Sequence, residues 1–117
     1  MKRTSRRSRA EARLVDHHER QIQELRGKPA LARALLDDAV REFLSGDEQA
    51  ALILLRDIIA AVGGFPDVAA EIEVHPKALH RMLSSHGNPT ATNLAAILRV
   101  LIRRLDLKPA DRLLTAA

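Results

Sequence analysis

The segment from Ala50 to Val62 is apolar on almost every face of a helix and is interrupted only by Arg56 and Asp57. A helix without a polar face is stable in water only when other elements cover it on all sides. The rest of the chain must therefore wrap around this segment. Asp47 stands where a helix N-cap accepts a backbone N–H, and the Gly63-Gly64 pair supplies the left-handed conformation that ends a helix. The covering material is helical too: Phe43 and Phe65 are the only aromatics, and Trp, Tyr and Cys are absent. A core of Leu, Ile, Val and Ala, poor in strand formers, favours an all-α fold. At 117 residues the chain makes one compact domain and a tail.

Before the central segment, Leu14, His18, Ile22 and Leu25 recur at helical spacing among charges, which predicts a helix over residues 10–26 with a narrow apolar stripe. Pro29 stands where it can open a second helix, in which Leu31, Leu35, Ala39 and Phe43 keep the helical period up to Gly46. After the glycine pair come short helical segments at residues 66–72 and 75–85, then a turn at residues 87–90. Thr90 caps a longer helix with Leu94, Ile97, Leu98, Leu101 and Leu105 on one face and Arg99, Arg103 and Arg104 elsewhere on its surface. A last turn or two is expected between Pro109 and Leu114. The chain thus divides into a basic flexible arm (1–10), a helical extension (11–46), a helix-turn-helix domain (47–107) and a C-terminal tail (108–117).

Charge is unevenly placed. Lys2, Arg3, Arg6, Arg7 and Arg9 precede any acid, residues 10–57 carry seven Lys or Arg against ten acids, and residues 58–117 carry seven against five. The N-terminal run reads either as a solvated arm or as an arm that contacts DNA. No apolar region follows it as in an export signal, and no run approaches the roughly 18 apolar residues of a membrane span. The reading is a soluble cytoplasmic protein without a membrane partner.

The stretch from Pro66 to Leu83 meets the requirement of a helix-turn-helix, in which a second short helix is held so that it enters the major groove. Ala69 offers a small side chain where the helices cross, and Val68, Ile72, Val74, Leu79, Met82 and Leu83 supply inward positions. Lys77, Ala78, His80 and Arg81 are left facing outward. Lys or Arg binds guanine O6 and N7 or a phosphate, free N–H groups at the helix start hold a phosphate, and Ala touches a thymine methyl. His75 can cap this helix or donate to a phosphate, and Asn88 and Thr90 complete the candidate DNA-binding set. The competing reading is an ordinary pair of core helices with solvated charges. Glu73 departs from the motif, because this turn position usually holds Gly in the left-handed conformation.

The run PALARALLDDAVREFLSGDEQAALILLRDIIAAVGG, followed by VAAEIEVHPKALHRMLSSHGNPT and NLAAILRVL, resembles HigA-like antitoxins, addiction-module antidote proteins with an XRE-type, lambda-repressor-like DNA-binding domain. The likeness spans roughly residues 25–107 and is most specific at LRDIIAAVGG (Leu55 to Gly64) and LHRMLSSHGNPT (Leu79 to Thr90). Pro66 and His75 stand where the family often has Ser and Asn. The resemblance implies a homodimeric repressor that binds an operator palindrome, regulates its own operon and neutralises a RelE-like toxin. Two other readings are an XRE-type regulator without a toxin and a helical protein-binding adaptor.

Other chemistry finds little footing. His17 and His18 diverge by about 100° on a helix, and His75, His80 and His86 lack the i, i+4 spacing of two ligands on one face, so no metal site is expected. Ser84, Ser85 and His86 have no nucleophile elbow or oxyanion loop around them. Asp37 and Asp38 diverge, and Asp37 has Arg41 one turn on. No phosphate-binding loop or dinucleotide fingerprint exists, so neither a catalytic residue nor a cofactor is expected. Scarce aromatics also disfavour single-stranded RNA, whose bases stack on rings.

Overall fold

The computed structural model of the chain describes residues 6–117, with side chains from Arg9 onward. Among the described residues there are six helices and no strand: α1 (Arg6–Gly27), α2 (Pro29–Ser45), α3 (Glu48–Ala61), α4 (Phe65–Glu71), α5 (Pro76–Met82) and α6 (Ala91–Arg104). No described helix is long and apolar enough to cross a membrane.

The centre is α3, as its apolar surface requires. Leu55, Ile58 and Ile59 are fully buried, and only Ile53 among its large apolar side chains reaches solvent substantially. The Asp47 carboxylate accepts the Ala50 N–H at 3.1 Å and starts the helix. At the other end the Gly64 N–H donates to the Ile59 carbonyl at 2.9 Å, with Gly63 at φ 133°. α2 packs along α3 as its most extensive neighbour, and α1 lies against both. On the other side α4 bridges α3, α5 and α6. The Val68, Leu79, Leu83, Ile97 and Leu101 side chains, all fully buried, join these helices to the same core, which contains no buried polar residue among those described.

Two expectations are revised. The predicted stripe of α1 is covered only at its C-terminal end: Leu25 is buried and Ile22 half-buried, whereas Leu14 is 68% and Val15 58% exposed. Length contributes. With 22 residues, α1 is about 33 Å long, while the 14-residue α3 offers only about 21 Å to lie against. The overhang contributes to a molecule 61 Å long but 30 by 28 Å in section. At the other terminus, the turn expected between Pro109 and Leu114 is not helical, and Leu113 and Leu114 are exposed. A single turn with no apolar face against the core does not recover its nucleation cost. Of the expected basic arm, residues 1–5 lie outside the described residues, and the backbone is helical from Arg6.

Candidate nucleic-acid interface

α4 and α5 are joined by residues 72–75 in a tight turn. Val74 N–H donates to the Ala69 carbonyl at 3.0 Å and Glu73 N–H to the Ala70 carbonyl at 3.2 Å, which satisfies the last carbonyls of α4. This closure needs a left-handed residue directly after the helix cap, and Glu73 adopts it with φ 61°. A side chain there costs about 1–2 kcal/mol relative to glycine's freedom. The strain is held by packing: Val68, Ala69, Leu79 and Leu83 are fully buried, with Ile72, Val74 and Met82 packed against them. The small Ala69 sits at the heart of this arrangement, as its size predicts.

α5 begins at Pro76, and His75 caps it by accepting the Lys77 N–H on Nδ1 at 3.1 Å. With Nδ1 acting as acceptor, Nε2 carries the proton of the neutral ring and remains a donor. Lys77 and Arg81, one turn apart, are both exposed, and neither side chain has an ion-pair partner among the described residues. Ala78 is half-buried between them and the next loop. His80 is exposed at one edge but is not free: its ring stacks on Phe65 of α4, centroids 3.7 Å apart and planes within 10°. That stacking fixes α5 sideways against the first turn of α4.

After α5 the chain folds back on itself. Ser84 donates to the Arg81 carbonyl through both its N–H and its hydroxyl, and Gly87 N–H donates to the Ser84 carbonyl at 2.9 Å. A Cβ at Gly87 would collide with the carbonyls of Met82 and Arg81, so only glycine allows this approach. The fold-back places His86 and Asn88 beside Ala78, Arg81 and Met82 around a shared concavity. Thr90 is occupied differently, its hydroxyl oxygen accepting the Asn93 N–H at 3.1 Å to cap α6.

No family model matches this chain, and no similar curated protein or solved structure is found. The functional reading therefore rests on geometry. Of the candidate residues, Lys77, Ala78 and Arg81 share the outer side of α5 and Asn88 joins them, whereas His75, His80 and Thr90 each have a structural role. Among the described residues no group of three or more His, Asp or Glu is arranged to hold a metal ion.

The sequence pattern misses what holds this surface in place. Arg104 reads as a surface charge of α6, yet its side chain is only 19% exposed. Its guanidinium donates to the Val62 carbonyl and the Asp67 carboxylate, each at 2.7 Å, and to Glu71 at 3.0 Å. Arg103 pairs with the other Glu71 oxygen. The Arg104 hydrogen bond holds the Glu71 carboxyl below the ordinary carboxylate range, against a smaller opposing effect of burial, with Arg103 adding to the lowering. Asp67, above all, raises Arg104 further. One arginine thus ties the end of α3, the length of α4 and the end of α6 together. Gly63 makes room for it, since a Cβ there would collide with the Arg104 guanidinium and lie 2.7 Å from Asp67 Oδ2. The sequence carries two signals: Arg104 stands three residues after Leu101 and seven after Ile97, on the apolar side of α6, and Asp67 and Glu71 lie at i, i+4 on a short helix, a pattern too common to name its partner.

Proposed function

We propose that this chain is a cytoplasmic, non-enzymatic, sequence-specific DNA-binding repressor of the lambda-repressor-like class, with α5 as the helix that reads the major groove. The observation that carries the proposal is the α4–α5 unit. Its tight, left-handed turn and fully buried inner face leave Lys77, Ala78 and Arg81 together on the exposed side of α5. Two unpaired cations one turn apart beside a small apolar residue match what base edges and phosphates present. One recognition helix reads few base pairs, so the reading includes a homodimer on a palindrome with half-sites about 34 Å apart. The deciding experiment is a titration of the purified chain with the duplex upstream of its own gene and with a scrambled duplex. Tighter, salt-sensitive binding to the first supports the proposal, and equal binding to both removes sequence-specific reading.

The likeness to HigA-like antitoxins extends the proposal to a RelE-like toxin as partner. Acidic side chains on α1 and α2 favour it: Glu19, Glu24 and Asp38 are exposed and have no ion-pair partner among the described residues, and Glu42 is half-buried. Asp37 is weaker support, because it pairs with Arg41 at 2.9 Å. An acidic surface steers a basic partner at low salt. Co-expression with the neighbouring small basic protein should give a complex and restore growth. A toxic neighbour that is neither bound nor neutralised, or a harmless one, leaves the regulator without a toxin.

A further inference from the structure

The outer side of a solvated helix ordinarily carries polar side chains, yet the concavity beside α5 has an apolar floor. Ala78 and Met82, one turn apart and both half-buried, form that floor. Its rim is polar, with the exposed Arg81 on α5 and the exposed His86 and Asn88 in the following loop. The space amounts to roughly 310 Å³, enough for the edge of a base. Its shape depends on the Gly87 fold-back, whose close approach to the Met82 carbonyl excludes any side chain at that position.

We propose that this concavity receives the C5-methyl group of a pyrimidine, thymine in ordinary DNA, next to a guanine held by Arg81. The inference rests on the DNA-reading assignment of α5 and deepens it. In the major groove the C5-methyl is the apolar group that a base edge presents, while guanine offers O6 and N7 as paired acceptors for a guanidinium. Residues three apart on a helix have Cβ atoms about 5–6 Å apart, and successive bases rise about 3.4 Å. The reach of the arginine covers the difference, so Ala78 and Arg81 address neighbouring base pairs. His86 and Asn88 supply donors on the far rim for the adjoining phosphate.

The test begins by selecting duplexes from a random pool with the full chain. Within the enriched sequence, each thymine beside a guanine is replaced by uracil, which removes only the methyl group. Replacement at the contacted position should weaken binding about three- to ten-fold, the worth of one buried methyl. Placing 5-methylcytosine rather than cytosine there should recover a comparable factor, which separates the methyl from the thymine edge. In Ala78→Ser, checked for folding by circular dichroism, the ratio of thymine-duplex to uracil-duplex affinity should shrink. Equal affinity for thymine and uracil at every selected position overturns the methyl pocket and leaves the DNA-reading assignment standing. An undiminished preference in both Ala78→Ser and Met82→Gln also overturns it, and a pool that shows no enrichment removes the pocket together with the reading beneath it.

Discussion

Arg81 is the residue on which the DNA reading is most exposed to test. Its side chain makes no hydrogen bond or ion pair among the described residues, so Arg81→Ala should leave unfolding unchanged. It should nevertheless cost about 1–3 kcal/mol of operator affinity and relax preference at one base pair, as removal of a guanine-binding side chain does. Fluorescence titration against single-base operator variants measures both, and an unchanged affinity removes Arg81 from the site. Glu73 makes the opposite kind of prediction. Its left-handed backbone, φ 61°, is relieved in Glu73→Gly by about 1–2 kcal/mol, and the extra freedom of glycine in the unfolded chain returns about 0.5–1. Denaturant unfolding should therefore show a net gain of roughly 0.5–1 kcal/mol. Gly63 cannot be exchanged in the same way. Gly63→Ala meets both its φ of 133° and the Arg104 guanidinium, and should destabilise by about 1–3 kcal/mol.

Among the elements, α4 and α3 each carry a carboxylate whose pKa is shifted in the folded state, and the two shifts have opposite sign. Glu71, clamped by Arg104 and Arg103, has its pKa lowered in the folded state from an ordinary 4.5. Its contribution is present above that value and is lost as pH falls through the folded pKa. Asp57 on α3 is raised from an ordinary 3.8 by burial, with His18 at 3.5 Å and Arg56 partly opposing the shift. Its protonated form favours the folded state, so stability drains away as pH rises through the folded value, and the ionised group is a cost at neutral pH. Glu71→Gln should flatten the acid limb of the stability profile below about pH 4.5 and loosen α4. Asp57→Asn should instead raise stability at neutral pH while leaving the Glu71-dependent acid limb in place. Equilibrium unfolding across the acid range separates the two, and a Glu71→Gln profile as steep as the parent's would show that the clamp does not act through this carboxylate.

In the whole molecule, the long axis of 61 Å reflects a helix that outruns its support. Leu25 is the first buried side chain among those described. Removing residues 1–9 should therefore leave the unfolding transition of the remaining chain in place. If the basic residues there touch phosphates, the same deletion flattens the dependence of log K on log salt by roughly 0.9 for each phosphate no longer neutralised. An identical slope would show that the segment takes no part in DNA binding.

Local chemistry was legible from the sequence wherever one residue type has few alternatives. Asp47, His75 and Thr90 cap the helices they precede, and an all-apolar segment from Ala50 to Val62 had to become the buried centre. The inward positions of α4 and α5 followed from helical period alone. The sequence did not show which partners distant side chains would find. Arg104 reads like Arg99 by residue type, although it falls about 140° from Arg99 on a helical wheel, and only the meeting of three helix ends turns it into a clamp. His80 reads as an outward base until Phe65 lies under it, and Gly87 reads as a flexible turn until the carbonyls of α5 close on its Cα. Periodicity records which face of a helix is apolar, but the pairing of one element with another depends on lengths, crossings and loop closure, which no local pattern encodes.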